Sequence, residues 1–333
     1  MKFRFLAVLH NMKLESIKNK GIEIYPGARI TNGTLFLEQT LTTLLFRTTV
    51  GVHSIDEFEN AVYFYIDGEF EEVKSKEEMD VVGQKYTFHF LRQAQMFLHE
   101  LWLLKDNNVY IREGFLVAYD RKIEEGFTYK ASLSEVYSYA TDENKSSLFT
   151  DSEIAFASSR YSPAEIDDWD EVSFGGKIPQ ADLLYKAKGS DRFTRAIYFT
   201  MGARKSAILP MKILSYCTAL ECLFTIGTAE ITHKTAERVA SLLGTSKESK
   251  LDLYNTVKDA YKIRSTIVHG QPLRGTDEDL KKISFEIDEI LRKLLANEND
   301  VFSRKDKDME TYFLDLVFDN SIKGVQENEQ TSN

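Results

Sequence analysis

Three observations on the sequence predict an α+β N-terminal domain followed by an all-α helical domain. Residues 1–157 mix short β-branched and aromatic runs with one long segment of helical periodicity. Residues 158–190 concentrate serine, proline, a Gly-Gly pair and acidic side chains, a composition typical of a linker. From residue 191 to about 320 apolar residues recur at helical spacing, and residues 321–333 are mostly polar. We therefore predict a sheet-containing domain, a linker, a helical domain and a disordered tail with these bounds.

Within residues 1–157, runs rich in β-branched and aromatic residues predict strands. These runs are FRFLAVL (3–9), LTTLLFRTTV (41–50), AVYFYIDGEF (61–70), NVYIREGFLVAYD (108–120) and EVYSYAT (135–141). The third run contains Asp67 followed by Gly68, a dipeptide typical of a hairpin turn. The segment 84–104 carries apolar residues at helical spacing, which predicts a helix that packs on the sheet.

Beyond residue 190 the pattern predicts six helices. The second begins near Pro210, where a first-turn proline is tolerated, and is apolar almost all round, so it should be central. The fourth begins at a capping pattern from Thr245 to Glu248 and ends at Gly270. The fifth begins at Thr276 with three acids in its first turn. The others are marked by Phe193, Ile197 and Met201, by residues 231–243, and by Met309, Tyr312, Phe313, Leu316 and Val317.

The composition is ordinary for a soluble globular protein, with 43% hydrophobic and 28% charged residues among 333. Charged residues and a proline interrupt the longest apolar runs before they reach the roughly 18 residues of a membrane span. The N-terminal residues lack the pattern of a secretory signal. We therefore expect a cytoplasmic protein with no membrane partner.

The net charge of −10 is not accompanied by a long basic stripe, so any contact with nucleic acid should be small. The two cysteines, Cys217 and Cys222, lie five positions apart in one predicted helix, a poor spacing for a mutual disulfide. We expect both to be small buried residues. No CxxC pair or Cys/His cluster indicates a metal site, and we expect neither a metal nor a cofactor.

The end of the fourth predicted helix carries an arginine and a histidine. Arg264 projects within about 40° of Val257 and Val268 and so lies on the apolar stripe, where its charge needs a carboxylate or a bound phosphate. His269 is rotated by about 140° from Arg264 and lies about 7.5 Å further along. One regular helix therefore cannot direct both side chains to one point. Either the chain turns back at Gly270, or two copies of the segment face each other.

These residues belong to a pattern of three segments on successive helices. ALECLF (219–224), AERVASLL (236–243) and RSTIVHG (264–270) together resemble the Apea-like branch of the HEPN superfamily. The resemblance covers about residues 190–320. It implies an all-α bundle that dimerises and, in many members, a metal-independent ribonuclease whose signature is Arg, four to six residues, then His. Here the signature assigns the catalytic roles to Arg264 and His269. Ser265 occupies an auxiliary position where many members have Asn, Asp or His.

The pair suits cleavage of RNA by its own 2′-hydroxyl. An imidazole can accept that proton or deliver one to the leaving oxygen, and a guanidinium can hold the phosphate. Glu221, in an apolar helix, should pair with Arg264 or Arg238, form hydrogen bonds to backbone, or take an auxiliary catalytic part. Lys262 and Arg274 flank the motif, where they could contact RNA phosphates or remain solvated charges.

The leading hypothesis is a cytoplasmic homodimer whose helical domain cuts RNA. Its N-terminal domain would bind a trigger, such as a small ligand or a phage component, and the resemblance implies an antiviral defence or toxin-like role. The alternative is a non-catalytic HEPN module that dimerises and binds RNA or a nucleotide. A metal-dependent hydrolase in residues 1–157 is disfavoured, because no Asp/Glu-x-Lys core ends a clear strand there.

Overall fold

The computed structural model describes residues 1–330 except 42, 71–74, 165–190 and 297–299. The chain divides into two compact units: a first unit of Met1–Ser138 with Asn144–Pro179, and a second unit of Tyr139–Glu143 with Gln180–Asn333. Most of the predicted linker, residues 165–190, lies outside the described residues. In the described part of the chain, no helix is long and apolar enough to cross a membrane.

The first unit is built on a six-stranded antiparallel sheet. Its strands and a separate short pair are, in chain order, β1 (Lys2–Leu9), β2 (Met12–Leu14), β3 (Ile22–Tyr25), β4 (Ala28–Thr31), β5 (Val62–Glu69), β6 (Ile111–Tyr119), β7 (Phe127–Glu135) and β8 (Ser147–Phe149). The order in the sheet is β3-β4-β5-β1-β6-β7, while β2 pairs in parallel with β8. The strand β1 therefore lies inside the sheet, between β5 and β6.

Helices cover both faces of the sheet, which explains the nearly continuous hydrophobic sequence of β1. The helices of this unit are α1 (Leu35–Leu41), α2 (Leu44–Val50), α3 (Val52–Asp56), α4 (Lys76–Leu104) and α5 (Asp151–Arg160). Phe3 and Phe5 point to one face, where their ring centroids lie 5.3 and 5.6 Å from that of Phe90 on α4. Leu6 and Val8 point to the other face, in a core cluster with Phe46 and Val50 of α2.

Two sequence predictions in this unit are wrong. The run 41–50 ends in the helix α2 and not in a strand, because the Thr43 hydroxyl accepts the Phe46 N–H at 3.3 Å and caps it. Asp67 and Gly68 lie within β5 and form no turn. Gly68 is required there because a Cβ would come within 2.5 Å of the Phe3 ring on the neighbouring strand.

The second unit is helical. Its described part contains α6 (Arg192–Lys205), α7 (Leu209–Phe224), α8 (Ile231–Leu243), α9 (Lys247–Val268), α10 (Asp277–Ala296) and α11 (Asp306–Gln330). The six predicted helices are thus confirmed, and α7 packs against α6, α9 and α10 as its all-round apolar surface requires. The last helix continues through residues 321–330, which the sequence suggested would form a tail.

A short segment between β7 and β8 belongs to the second unit. The fully buried amine of Lys212 on α7 donates to the carbonyl of Tyr139 at 2.7 Å, and the Ser284 hydroxyl donates to that of Ala140 at 2.6 Å. These bonds satisfy polar groups that would be costly to bury alone. The run 135–141 was predicted as a strand, but β7 ends at Glu135 because the following residues bind the helices.

Candidate functional site

The helix α9 carries the Arg264 and His269 pair. It begins at Ser246, whose hydroxyl accepts the Ser249 N–H at 3.2 Å while the Ser249 hydroxyl accepts the Ser246 N–H at 2.9 Å. The capping box is therefore one residue later than the Thr245 to Glu248 pattern predicts. Each serine supplies one half of the box, and Ser249 takes the place that the pattern gave to Glu248.

The helix ends in a Schellman motif. The Gly270 N–H donates to the carbonyl of Ile267 and the Gln271 N–H to that of Thr266, both at 2.9 Å. Gly270 has a φ of +64°, which a glycine adopts without strain. His269 is consequently the C-cap residue, and its side chain is exposed. Of the two geometries considered for this segment, the single chain adopts a helix that ends just before the histidine.

Arg264 meets the anionic partner that its position on the apolar stripe requires. Its Nη2 lies 3.1 Å from Oε1 of Glu221 on α7 and donates to Oε2 at 3.2 Å. The side chains of Arg264 and Glu221 are 32% and 19% exposed. The buried Nε of Arg264 has no hydrogen-bond partner among the described residues. The pair thus holds the guanidinium near the surface with part of its donor capacity unused.

Two further side chains surround this ion pair. The Arg264 guanidinium lies 5.8 Å from the centre of the Tyr261 ring, and Cys217 is fully buried one turn before Glu221. Burial, reinforced by the Glu221 charge, raises the pKa of the Tyr261 hydroxyl and of the Cys217 thiol. Both groups therefore stay protonated at neutral pH, so these two neighbours of the ion pair are uncharged. Sequence reasoning missed them as neighbours, although each stands at helical spacing from Arg264 or Glu221.

His269 follows the last helical residue, with a φ of −88° and a ψ of 6°. By helix geometry, five residues rotate its Cβ by about 140° from that of Arg264 and place it about 7.5 Å further along the axis. The structure therefore brings together Arg264 and Glu221 and leaves His269 on the surface past the helix end. An anion that contacted both Arg264 and His269 of one chain would have to span this separation around and along the helix.

The other predicted site residues lie on the surface of the same helix end. Ser265 is exposed, and its carbonyl accepts the His269 N–H at 3.1 Å. Lys262 is exposed and pairs with Asp259 at 2.6 Å. Arg274 is exposed in the loop before α10. Each is accessible to a polyanion, and none of the three is held in a preformed pocket.

In the described part of the chain, no three or more His, Cys, Asp and Glu side chains are grouped closely enough to hold a metal ion. His233, the other described histidine of the helical unit, lies 2.9 Å from the Tyr254 hydroxyl and 3.8 Å from the Glu237 carboxylate. Nδ1 therefore has a hydrogen-bond partner while Nε2 only lies near a carboxylate, and the exposed His233 is a suitable comparison for the exposed His269.

Fold and site define a two-unit protein in which a sheet-and-helix unit accompanies a helical unit with a surface arginine and histidine. Comparisons with protein-family models, with curated proteins and with solved structures each give no match to this chain.

Proposed function

We propose that the helical unit is a metal-independent endoribonuclease of the HEPN type that acts as a homodimer. The observation that supports this most directly is the half-exposed Arg264, oriented by Glu221 and followed five positions later by the exposed His269 at the end of α9. This reaction requires at least a cation that binds the phosphate and a group that transfers a proton, and the end of one helix carries both.

The reaction needs no covalent enzyme intermediate. The His269 imidazole of one copy takes the proton of the RNA 2′-hydroxyl, and the 2′-oxygen attacks the adjacent phosphorus. The 5′-oxygen of the next nucleotide leaves and receives a proton from the His269 imidazolium of the other copy. Arg264 donates to the phosphate oxygens as negative charge builds on them. The products are a 2′,3′-cyclic phosphate and a 5′-hydroxyl.

A second copy of the chain would place an arginine and a histidine around the same phosphodiester. The offset of about 140° between Arg264 and His269 prevents one chain from placing both around one phosphodiester. Two copies of α9 related by a twofold axis would place two arginines and two histidines around a shared cleft. Lys262 and Arg274 would then contact the flanking phosphates of the RNA.

The first unit offers a place for a trigger. A cavity of about 410 Å³ lies beside α1 and α3, within the range of about 300–1,000 Å³ typical of small-molecule sites. Its lining combines the apolar side chains of Leu37, Leu41 and Phe58 with the charged side chains of Arg47 and Glu59. A small amphipathic ligand bound there would control a defence or toxin-like nuclease.

A second function is favoured by one specific contact. The ion pair with Glu221 gives Arg264 a structural partner that requires no RNA. In that case the helical unit is a non-catalytic module that dimerises and binds RNA or a nucleotide.

The two functions are separated by an assay of purified full-length protein with RNA in EDTA, with and without candidate triggers. We expect fragments that end in 2′,3′-cyclic phosphate. His269→Ala should lower the cleavage rate by about 10²- to 10⁴-fold, the usual contribution of a general acid–base group. Because the His269 side chain is exposed, we expect the variant to fold like the wild type, and a thermal melt checks this.

The matched control is His233→Ala, which removes another exposed histidine of the same unit. It should cleave like the wild type. RNA binding without cleavage by the wild type under every trigger would favour the non-catalytic module, and equal cleavage by both alanine variants would exclude His269 as a catalytic residue.

A further inference from the structure

Two adjoining cavities lie beside the start of α8, away from the Arg264 and His269 pair in sequence. Their volumes are about 120 and 100 Å³. Lys234, Arg238 and Glu310 line both of them. Each cavity exceeds the space of a single water but is smaller than the roughly 300 Å³ of a site for a drug-sized molecule. Their size suits a small ion or one functional group of a larger ligand.

Arg238 is a buried cation whose guanidinium lies 5.2 Å from the centre of the Phe313 ring and has one hydrogen bond and one more distant carboxylate besides. Its residue is 7% exposed, and its Nη1 donates to the carbonyl of Phe224 at 2.5 Å. The nearest carboxylate oxygen, on Glu310, lies 3.8 Å from Nη2, beyond hydrogen-bond distance. Burial lowers the pKa of Arg238 below its ordinary value, and the charges of Glu310 and Glu237 offset this only in part. The buried charge therefore gains from an additional anion.

Lys234 adds a second positive charge on the same helix face. It stands four residues before Arg238, a spacing at which like charges repel each other on a helix. Among the residues that the structure describes, Lys234 forms no ion pair. An anion between the two side chains would convert this repulsion into two charge-assisted hydrogen bonds.

The backbone adds to the positive potential of the first cavity. Ile231 lines it and is the first residue of α8. The N-cap residue, Glu230, has a φ of +56° and makes no side-chain hydrogen bond to the helix, and the first turn contains no acid. The N–H groups of this turn and the positive end of the helix dipole therefore attract an anion, as the two cations do.

We propose that Lys234 and Arg238 form a binding site for a phosphate group, either inorganic phosphate or the phosphate of a phosphomonoester. The phosphate lies between the two side chains. Phe313 and Leu314 line the second cavity, where they receive the organic part of a monoester. This site is separate from the proposed ribonuclease site and does not depend on RNA cleavage.

Glu310 regulates access to this site. Its side chain is 48% exposed and carries the one carboxylate that lines both cavities. The Glu310 carboxylate lies near Arg238 but forms no hydrogen bond with it. A bound phosphate therefore displaces this carboxylate from Arg238. Removal of its charge should strengthen phosphate binding, an effect opposite to that expected if Glu310 merely stabilised the fold.

Isothermal titration of the full-length protein tests the proposal, with inorganic phosphate, AMP and adenosine as probes at constant ionic strength. We expect Lys234→Ala to weaken phosphate binding by about tenfold, as the loss of a charge-assisted hydrogen bond implies. Glu310→Gln should strengthen it by about threefold, the effect of removing one exposed like charge. Lys258→Ala on α9 is the matched control and should bind like the wild type, since Lys258 contacts Tyr254 and neither cavity.

The arms of the titration also separate the two sources of phosphate. Tighter binding of AMP than of inorganic phosphate identifies a phosphomonoester, whereas equal binding identifies the free ion, and both outcomes support the site. Equal binding of adenosine and AMP overturns it, as does an equal loss in the Lys234 and Lys258 variants. So does the absence of saturable phosphate binding to both the wild type and Glu310→Gln. None of these readouts requires nuclease activity, so they are independent of the proposed function.

Discussion

Arg4, a buried arginine of the first unit, and two arginines of the helical unit, Arg238 and Arg264, are partnered in different ways. Arg4 on β1 donates from Nε and Nη2 to the two carboxylate oxygens of Asp67, at 2.7 and 2.8 Å, and from Nη1 to Gln39 and Thr40. Although burial acts to lower it, these interactions with Asp67 raise the pKa of Arg4 above its ordinary value. In the helical unit, burial lowers the pKa of Arg238, and Arg264 keeps an unpaired Nε.

This contrast separates a structural cation from one that can bind a ligand. A bidentate pair with every donor used leaves nothing for an external anion. A guanidinium with one distant or single-nitrogen contact keeps donors for a phosphate. Arg4 therefore stabilises the sheet, whereas the Arg238 and Arg264 guanidiniums have fewer protein partners and are the groups that we propose bind phosphate.

The substitution with the largest expected effect on stability is Asp67→Asn, which tests the structural role of Arg4. We expect the free energy of unfolding to fall by about 2–3 kcal/mol, because the buried charge of Arg4 loses its counterion. Urea denaturation followed by circular dichroism measures the change. The matched control is Glu23→Gln, which removes the carboxylate of a more exposed pair with Arg29, and the expected cost is at most about 1 kcal/mol. Equal costs in the two variants would contradict the structural role of Arg4.

Acid should weaken the first unit through His89, whose pKa is lowered to about 4, chiefly by burial and also by the Lys85 charge. Above pH 6.5 the ring is neutral in both states, and the stability is complete. As the pH falls from 6.5 towards 4 the unfolded chain takes up a proton that the folded chain does not, so stability is lost. We expect the free energy of unfolding to fall by about 1–2 kcal/mol over this range. Urea titrations monitored by Trp102 fluorescence at each pH measure the change.

His89→Gln should reduce this pH dependence and leave the smaller part due to His10, whose pKa burial also lowers, while His53→Gln, on the exposed surface of α3, should retain it in full. The two described histidines of the helical unit, His233 and His269, are both exposed and have no buried ring to protonate. A pH profile that is unchanged in His89→Gln would place the acid sensitivity elsewhere.

Arg264→Lys sharpens the comparison in the helical unit. We expect RNA cleavage to fall by about tenfold, because lysine keeps the charge but loses the planar array of donors. The melting temperature should change little, since the charge opposite Glu221 remains. Arg304→Lys is the matched control, because Arg304 has a similar exposure and an ion pair with Asp300. A large drop in melting temperature for Arg264→Lys alone would assign Arg264 a structural role like that of Arg4.

The smallest expected effect concerns the coupling of Arg264 and Glu221. Arg264→Ala should cost about 1 kcal/mol, as part of a partly exposed pair, and Glu221→Gln in the same chain should restore some of that loss by removing the unpaired acid. A double-mutant cycle by urea denaturation measures this coupling. Strictly additive costs would show that the pair contributes nothing to stability.

Local sequence patterns predicted the helical unit well and the sheet less well. The bounds of α8 agree with residues 231–243, and the second predicted helix is central as its apolar surface required. The run 41–50 was misassigned because its threonines and valine favour a strand, whereas the cap by Thr43 and the packing of Phe46 and Val50 select a helix. Strand propensity depends on packing that the sequence does not display.

The candidate site was also predictable only in part. Periodicity placed Arg264 on an apolar stripe, and the cost of a buried charge required an anionic partner. The same reasoning left Arg264 and Arg238 as equal partners for Glu221. The fold selects Arg264, since α9 packs on α7 and brings the two side chains to 3.1 Å. The roles of HEPN type assigned to Arg264 and His269 remain predictions.

The sequence alone determined which segments of the second unit become helices, where α9 ends, and that a charged side chain there must meet an anion, because these follow from local periodicity and from the cost of burying charge. Tertiary structure alone decided which carboxylate meets Arg264 and that Lys234, Arg238 and Glu310 share two cavities. Glu310 is separated from Arg238 by many residues along the chain, and only the packing of α11 against α8 brings their charges within 4 Å.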